Sequence, residues 1–234
     1  IEITNTKSNG NYTGVIAGTK GTTENISFNH IKIQAEKMSY VGCIGYSSYR
    51  IENVKLNEIQ CTGKNNVGGL VGTNASVMST IEAKGLIVHG TNNVGGVAGE
   101  TQSTTQNLIV SEGSIVGNMY TGGVIGRGIL HHVEANKLDV EGTNYVGGIV
   151  GEDYSKNRAS RHNLKGSNLH VKGSDYYIGG LIGYGNLGEH EEITNSLVEG
   201  CTQNSNYVGG ILGSAINLSR RPSGLRKTSV NYNS

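Results

Sequence analysis

The sequence predicts an all-β fold, namely a β-solenoid (parallel β-helix) of about eight coils with a period of about 27 residues. The first observation is a glycine-containing phrase that recurs eight times, in its fullest form as Val67-Gly68-Gly69-Leu70-Val71-Gly72. The second is the interval between successive copies, whose first glycines lie 25 to 32 residues apart. The third is the absence of helical periodicity over any useful window. A repeat at this interval indicates one structural unit stacked on copies of itself.

One glycine identifies each copy of the phrase. Close copies begin at Val94, Val146 and Val208, whereas the copies that begin at Thr13 and Val41 are looser. The first glycines of the eight copies are Gly14, Gly42, Gly68, Gly95, Gly122, Gly147, Gly179 and Gly209. We expect the eight phrases to lie side by side in a single continuous sheet.

The stretches between the phrases contain short apolar runs separated by Gly, Asn, Ser and Thr. Ile51, Val54, Leu56 and Ile59 are one example. Such runs are typical of strands of about four to six residues, so each repeat is predicted to hold about three short strands joined by tight bends. Asn residues precede many of the phrases, and we expect them to form bends and to bond one another as an amide ladder along the rod.

The phrase itself has two interpretations, because the side chains on both of its faces are either apolar or absent (glycine). In the first, the strand is covered on both sides by its own coil, and the glycines allow another backbone to pack closely. In the second, an aliphatic stripe faces outward as an interface for a neighbouring domain or partner. The accessibility of Val71, Ala98 and Val150 decides between them.

Composition limits the function classes. The formal net charge is +1 and charged residues make up 16 %, which gives no indication of nucleic-acid binding or of attraction to anionic membranes. No apolar run approaches the length of a membrane span, so membrane insertion is not expected. The three cysteines are odd in number, and we interpret them as buried or semi-buried residues without a disulfide framework.

The ends of the sequence indicate a piece of a longer protein, since there is no initiator Met and no signal-peptide pattern. Residues 1–219 are predicted to form the solenoid. Residues 220–234 contain the single proline, Pro222, and a cluster of positive charges. They are interpreted as a basic linker or as a flap over the last coil.

The phrase Val-Gly-Gly-Leu-Val-Gly, preceded by Asn-Asn or Asn-Tyr, resembles the GLUG repeat of bacterial surface and secreted proteins. Immunoglobulin A-cleaving metalloproteases carry such repeats outside their catalytic domain. The resemblance extends over roughly Asn11 to Gly213. It implies a non-catalytic scaffold of a bacterial secreted or cell-surface protein, which acts as a spacer and binds a protein, a host-surface ligand or adjacent domains of its own chain.

The last two intervals between phrases are longer than the others, which predicts loops that project from the rod. Because loops on a rigid scaffold commonly carry binding residues, five residues are binding candidates. They are Asp153, Tyr154, Arg158, Tyr184 and His190. Tyrosines placed just before the phrases are expected to pack on their counterparts one coil away, with an aromatic strip for sugars as the alternative.

No metal, cofactor or catalytic site is expected. His131 and His132 are adjacent on a predicted strand and should point to opposite faces. His190-Glu191-Glu192 lacks the second histidine of a zinc-protease helix. Glycan-cleaving β-helices use clustered carboxylates, and the residues that could serve in this way are Asp139, Glu141, Glu152, Asp153 and Asp175.

Two further functions stay open beside the non-catalytic scaffold. One is a carbohydrate-cleaving β-helix enzyme that uses the carboxylates of Asp139 or Glu141. The other is the receptor-binding segment of a toxin or phage fibre.

Overall fold

The computed structural model describes residues 1–4, 11–154, 163–186, 191–200 and 207–215. Within these ranges the chain forms strands, turns and bends, and no helix is present that could cross a membrane. Every pairing between the described strands is parallel. The predicted fold class is confirmed: the protein is an all-β solenoid with a period of about 27 residues, and it has about seven turns where the sequence predicted about eight coils.

The strands recur in the same order along the chain. The first eleven are β1 (Glu2–Thr4), β2 (Ile16–Thr19), β3 (Thr23–Gln34), β4 (Ser39–Val41), β5 (Ile44–Ser47), β6 (Ile51–Thr62), β7 (Asn65–Gly68), β8 (Val71–Asn74), β9 (Met78–His89), β10 (Asn92–Gly95) and β11 (Ala98–Val116). The others within the described ranges are β12 (Met119–Gly122), β13 (Ile125–Gly142), β14 (Asn144–Gly147), β15 (Val150–Asp153), β16 (Leu164–Gly173), β17 (Ile178–Gly179), β18 (Ile182–Gly185), β19 (Glu191–Thr194), β20 (Leu197–Gly200), β21 (Val208–Gly209) and β22 (Leu212–Ala215).

Two parallel sheets run along the rod. The smaller has seven strands in the order β21-β17-β14-β12-β10-β7-β4, and the larger contains the others. Val94 pairs with Val67 on one side and with Thr121 on the other, so equivalent positions of successive phrases are in register. The first copy joins this row through an isolated bridge between Thr13 and Val41. The first halves of the phrases therefore lie side by side as expected.

The phrase is a corner and not a single strand, which corrects the sequence-based interpretation. β7 ends at Gly68 and β8 begins at Val71, so the chain changes sheets across a two-residue bend. The bend keeps the hydrogen bonding of the stack, because Gly69 N–H donates to the Gly96 carbonyl at 2.9 Å. In the second copy, Ile44 pairs with Val71, which makes that bend one residue shorter.

The aliphatic positions of the corner are interior. Val71, Ala98 and Val150 each have 0 % exposure, so the first interpretation is confirmed and an outward aliphatic interface is wrong. The glycines serve close packing: a Cβ at any of the eight repeat glycines would lie 1.9–2.8 Å from a backbone oxygen of the corner or of the adjacent coil. Glycine occupies these positions because there is no room for a side chain, and not because the backbone is left-handed.

The long strands are bent twice, where the sequence predicted separate short strands. In β6 the buried side chains are Ile51, Val54, Leu56, Ile59 and Cys61, at intervals of three, two, three and two. Each interval of three contains a residue in the left-handed conformation, with φ of 50° at Asn53 and 54° at Glu58. Such a residue puts two successive side chains outward and turns the strand. The equivalent left-handed residues are Asn25, Asn53, Thr80, Asn107, His132 and Asn163 at the first bend, and His30, Glu58, Gly85, Glu112, Lys137, Asn168 and Asn195 at the second.

Charges on the outer face of the long strands pair between coils. The ammonium of Lys55 lies 2.9 Å from the Glu82 carboxylate, and Lys165 lies 3.4 Å from Glu134. These pairs are exposed, so each contributes little to stability. Inside the rod, Cys43 and Cys61 are free and buried, and burial raises the pKa of Cys61 to about 12. Cys201 and residues 216–234, which include the predicted linker, lie outside the described residues.

Candidate functional site

A column of left-handed residues directly precedes the glycine corners. Tyr40, Asn66, Asn93, Tyr120, Tyr145 and Tyr177 have φ between 50° and 60°. None of the six side chains is directed into the core, because the next residue of each coil, which is aliphatic in five coils and Thr121 in the sixth, supplies the buried side chain. With Tyr12 and Tyr207 at the equivalent positions, these residues are called the first column.

A second column is formed by the residue that follows the last glycine of each phrase. Parallel pairing aligns Tyr46, Thr73, Glu100, Arg127, Glu152 and Tyr184 in successive coils. The glycine before each member makes the two columns neighbours. A Cβ at Gly99 would lie 2.5 Å from the Asn66 carbonyl carbon, so the strands on either side of the corner are in backbone contact. We call the two columns together the corner face.

Tyrosine rings stack along the C-terminal half of the corner face. Ring centroids are 4.6 Å apart for Tyr120–Tyr145, 4.9 Å for Tyr145–Tyr177 and 5.2 Å for Tyr177–Tyr207. Tyr184 joins from the second column, 5.1 Å from Tyr177. A smaller cluster at the other end places Tyr12 5.2 Å from Tyr40 and 5.4 Å from Tyr46. Packing of tyrosines on their counterparts one coil away is confirmed.

Polar groups occupy the part of the corner face between the two tyrosine clusters. Asn93 donates to the Asn66 side-chain oxygen at 2.9 Å, which confirms an amide ladder at this position. Asn66 in turn donates to the hydroxyl of Thr73 at 2.7 Å and to the carboxylate of Glu100 at 3.1 Å. Hydrogen bonds therefore join the two columns where aromatic contacts do not.

Arg127 connects this polar region to the tyrosine stack. Its Nε donates to Glu152 at 2.5 Å, and its guanidinium lies 5.3 Å from the centre of the Tyr120 ring and 5.2 Å from that of Tyr154. The Arg127 side chain is 37 % exposed and that of Glu152 is 13 % exposed. The carboxylate and the two rings together hold this guanidinium in one place.

Burial changes the acidity of the phenols around Arg127. The pKa of Tyr154 is raised to about 12, first by burial and then by the negative charge of Glu100. Burial, followed by the charge of Glu152, raises the pKa of Tyr120. Burial also raises the pKa of Tyr145. These phenols are neutral hydrogen-bond donors at physiological pH.

Three of the five binding candidates lie in the described ranges, where Asp153 and Tyr184 belong to strands β15 and β18 and not to projecting loops, and Tyr154 directly follows β15. Asp153 is fully buried, so its side chain is not available to a binding partner at the surface. Tyr154 is partly buried and its hydroxyl donates to the Thr101 carbonyl, which fixes the chain two coils away. Tyr184 belongs to the corner face. Arg158 and His190 lie outside the described residues.

Two of the candidate catalytic carboxylates, those of Asp139 and Glu141, have a basic neighbour on the next coil. Asp139 lies 3.5 Å from His170, and Glu141 lies 3.8 Å from Lys172. Their side chains are 73 % and 59 % exposed, as expected for solvated strand charges. Asp175 belongs to neither the corner face nor these ion pairs: it is partly exposed, and its backbone N–H donates to the Thr143 carbonyl at 3.0 Å.

The histidine pair and the other possible metal ligands do not converge. His131 and His132 both face outward, which corrects the prediction of opposite faces, because His132 is a left-handed residue of the first bend with φ of 51°. The described ranges hold no group of three or more His, Cys, Asp or Glu side chains able to bind a metal ion.

Sequence reasoning did not single out Arg127 or Glu100, and it assigned Asn66 only to a bend and an amide ladder. The signal is present: the residue directly after the last glycine of a copy is polar or aromatic in successive repeats. Because the phrase was interpreted as one strand, these residues were not placed beside the tyrosines that precede it. Recognition of a corner would have brought the two sets together.

Comparisons with known proteins give one structural similarity. No family model matches the chain, and no curated protein matches its sequence. The crystal structure of a candidate immunoglobulin A1 protease from Bacteroides ovatus is similar over 83 % of this chain and 66 % of that chain, with 14 % sequence identity and a TM-score of 0.41. Such a similarity supports neither a shared activity nor a shared ligand.

Proposed function

We propose that this chain is a rigid, non-catalytic scaffold of a bacterial secreted or cell-surface protein, and that its corner face binds a protein partner. The observation that carries the proposal is the continuity of the corner face. Two adjacent columns present tyrosines, an arginine and amides in register from coil to coil. The rest of the rod then acts as the spacer that holds this face.

The residue types on the corner face match those that dominate binding energy at protein interfaces. Tyr and Arg are enriched among residues whose truncation costs 2 kcal/mol or more. Tyr145 and its stacked neighbours, together with Arg127, are already ordered by their contacts. A partner therefore binds without a large cost for immobilising these side chains.

The backbone adds a second argument. A left-handed conformation costs a non-glycine residue about 1–2 kcal/mol, and Asn accepts it more readily than Tyr. Asn66 and Asn93 occupy the same column as Tyr120, Tyr145 and Tyr177 with the same backbone conformation. Tyrosine at these positions is explained by what its ring contributes at the surface and not by a requirement of the bend.

The tyrosine stack is better suited to binding a protein than to binding a sugar. Sugar binding by aromatic side chains uses ring faces, yet the faces of Tyr145 are turned towards Tyr120 and Tyr177 at 4.6 and 4.9 Å. Ring edges and hydroxyl groups are what the stack offers to a partner. Glycan cleavage would need convergent carboxylates, whereas Asp139 and Glu141 face His170 and Lys172.

The test compares binding of fluorescently labelled chains to intact animal epithelial cells, measured by flow cytometry over a concentration series. Tyr145→Asn removes one ring and keeps a residue that the same column uses at Asn66 and Asn93. Arg127→Ala removes the fixed guanidinium. Lys55→Ala, on the outer face of a long strand, is the matched control. We expect each corner-face variant to raise the half-saturating concentration at least about tenfold, and the control to leave it unchanged.

Protease treatment of the cells should abolish binding, whereas glycosidase treatment should not. Equal binding by Tyr145→Asn, Arg127→Ala and the unmodified chain would show that the partner contacts another surface. Glycan turnover that is lost on substitution of Asp139 or Glu141 would instead support the enzyme. A receptor-binding segment of a toxin or phage fibre would use the same face, and the identity of the bound cell protein distinguishes that possibility.

A further inference from the structure

Tyr120 and Tyr145 form the closest ring pair of the corner face. Parallel pairing of Met119 with Asn144 and of Thr121 with Val146 puts the two tyrosines directly opposite each other. Their ring centroids are 4.6 Å apart with a tilt of 32°. Two phenols in register at this separation bring the ring carbons beside each hydroxyl close to their counterparts.

We propose that Tyr120 and Tyr145 are a site of oxidative cross-linking, at which a peroxide-driven one-electron oxidant joins them as dityrosine. Each phenol loses one electron and one proton to give a tyrosyl radical. The two radicals form one carbon–carbon bond between the ring positions next to the hydroxyls, and the rings regain aromaticity by proton shifts to oxygen. Hydrogen peroxide accepts the two electrons and two protons and becomes two molecules of water.

The surroundings of the pair favour coupling within the chain. Both side chains are partly exposed, so a small oxidant or a peroxidase-generated radical reaches them, yet backbone pairing holds them together. The protons that the two phenols lose pass to solvent, which reaches both partly exposed side chains. Because the rings are already in contact, coupling within the chain needs no encounter between molecules.

The neighbouring rings define the selectivity that is expected. Tyr145–Tyr177 and Tyr177–Tyr207 are farther apart, at 4.9 and 5.2 Å, so Tyr120–Tyr145 should be the main product. Tyr49 is 46 % exposed and has no tyrosine ring against it in the part of the chain that the structure describes. It therefore serves as an accessible tyrosine without a coupling partner.

The cross-link would connect two successive coils on the corner face. It closes the 25-residue interval between Tyr120 and Tyr145, which restricts the unfolded chain more than the folded one. We expect the oxidised protein to unfold at a higher temperature than the untreated protein. This proposal does not depend on the identity of any binding partner.

The experiment treats the whole chain at low concentration with a haem peroxidase and hydrogen peroxide. The monomer fraction is isolated, digested with trypsin and analysed by mass spectrometry. The expected product is one cross-linked pair of peptides, containing Tyr120 and Tyr145, with the loss of two hydrogen atoms. Tyr145→Phe and Tyr120→Phe keep the ring packing and should each reduce this product to background. Tyr49→Phe should leave its yield unchanged.

Several outcomes would overturn the proposal. They are products linked only between chains, a dominant Tyr145–Tyr177 product, or an unchanged yield in either phenylalanine variant. Circular dichroism confirms that each variant is folded before oxidation. Treatment of the urea-unfolded chain provides the second control, since the selectivity for Tyr120 and Tyr145 should disappear there.

Discussion

At the scale of single residues, the fold depends on the absence of side chains at the corner. Gly95 shows this most clearly, because a Cβ there would lie 2.2 Å from the Ala98 carbonyl oxygen and 2.6 Å from the Gly126 nitrogen. Both neighbours are backbone atoms of paired strands, so neither can move away without breaking the stack. Even the methyl group of alanine is too large for this position.

Replacement of Gly95 by Ala should therefore destabilise the protein by about 3 kcal/mol or more, because the added methyl group forces backbone apart. Gly21→Ala is the control, since nothing lies within 4 Å of a Cβ at Gly21. Its effect should stay within about 0.5 kcal/mol. Urea-induced unfolding followed by circular dichroism measures both, and similar stabilities of the two variants would contradict the close packing of the corner.

Thr121 is an exception within an aliphatic column. Its neighbours in register are Val94 and Val146, and its buried hydroxyl has no hydrogen-bond partner among the described residues. We expect Thr121→Val to stabilise the protein by about 1–2 kcal/mol, because an unsatisfied hydroxyl is replaced by a methyl group of similar size. Thermal unfolding measures the change. A lower unfolding temperature in the variant would show that the hydroxyl has a stabilising contact.

At the scale of elements, part of the fold followed from the sequence and part did not. The period, the parallel stacking and the burial of the aliphatic phrase were predictable from the recurrence of Val67 to Gly72 and its copies. The bends within the long strands were not, because Glu58 and Lys137 are unusual residues for a left-handed conformation. Their neighbours in the stack impose it, and a single repeat does not show that constraint.

The corner face was predictable only in part for a similar reason. Stacking of Tyr120, Tyr145 and Tyr177 followed from their common position before the phrase. Their proximity to Arg127 and Glu152 depends on a corner between them, which alternation along one strand would not predict. The fully buried position of Asp153 likewise depends on where β15 begins, and residue type alone favoured exposure.

The bend residues permit a direct comparison of side chains. Gly85 occupies the column of Lys137, which has φ of 54°. Lys137→Gly should be about 0.5–1 kcal/mol more stable than Lys137→Ala, since glycine avoids the cost of a left-handed backbone, although its freedom in the unfolded chain offsets part of the gain. Both variants lose the same exposed contact with Glu112. Greater stability of the alanine variant in urea would contradict the assigned backbone.

At the scale of the whole molecule, one repeat unit produces both the core and the surface. Residues that point inward stack into continuous aliphatic columns, and the residues beside them stack into the corner face. A rod with an ordered corner face thus arises from local rules that recur about every 27 residues.

The corner, the corner face and its tyrosine stack all require that equivalent residues of successive coils lie directly above one another. Electron spin resonance tests this by measuring distances between pairs of spin labels at exposed positions of one column. One label is at Lys55→Cys, and the second is in turn at Glu134→Cys, Lys165→Cys or Glu192→Cys. All variants carry Cys201→Ser. These sites are three, four and five coils apart along one register. The backbone separations should be about 14, 19 and 24 Å, with a constant step of about 4.8 Å for each coil. Distances that do not increase in this order would contradict the stacked solenoid and the corner face built on it.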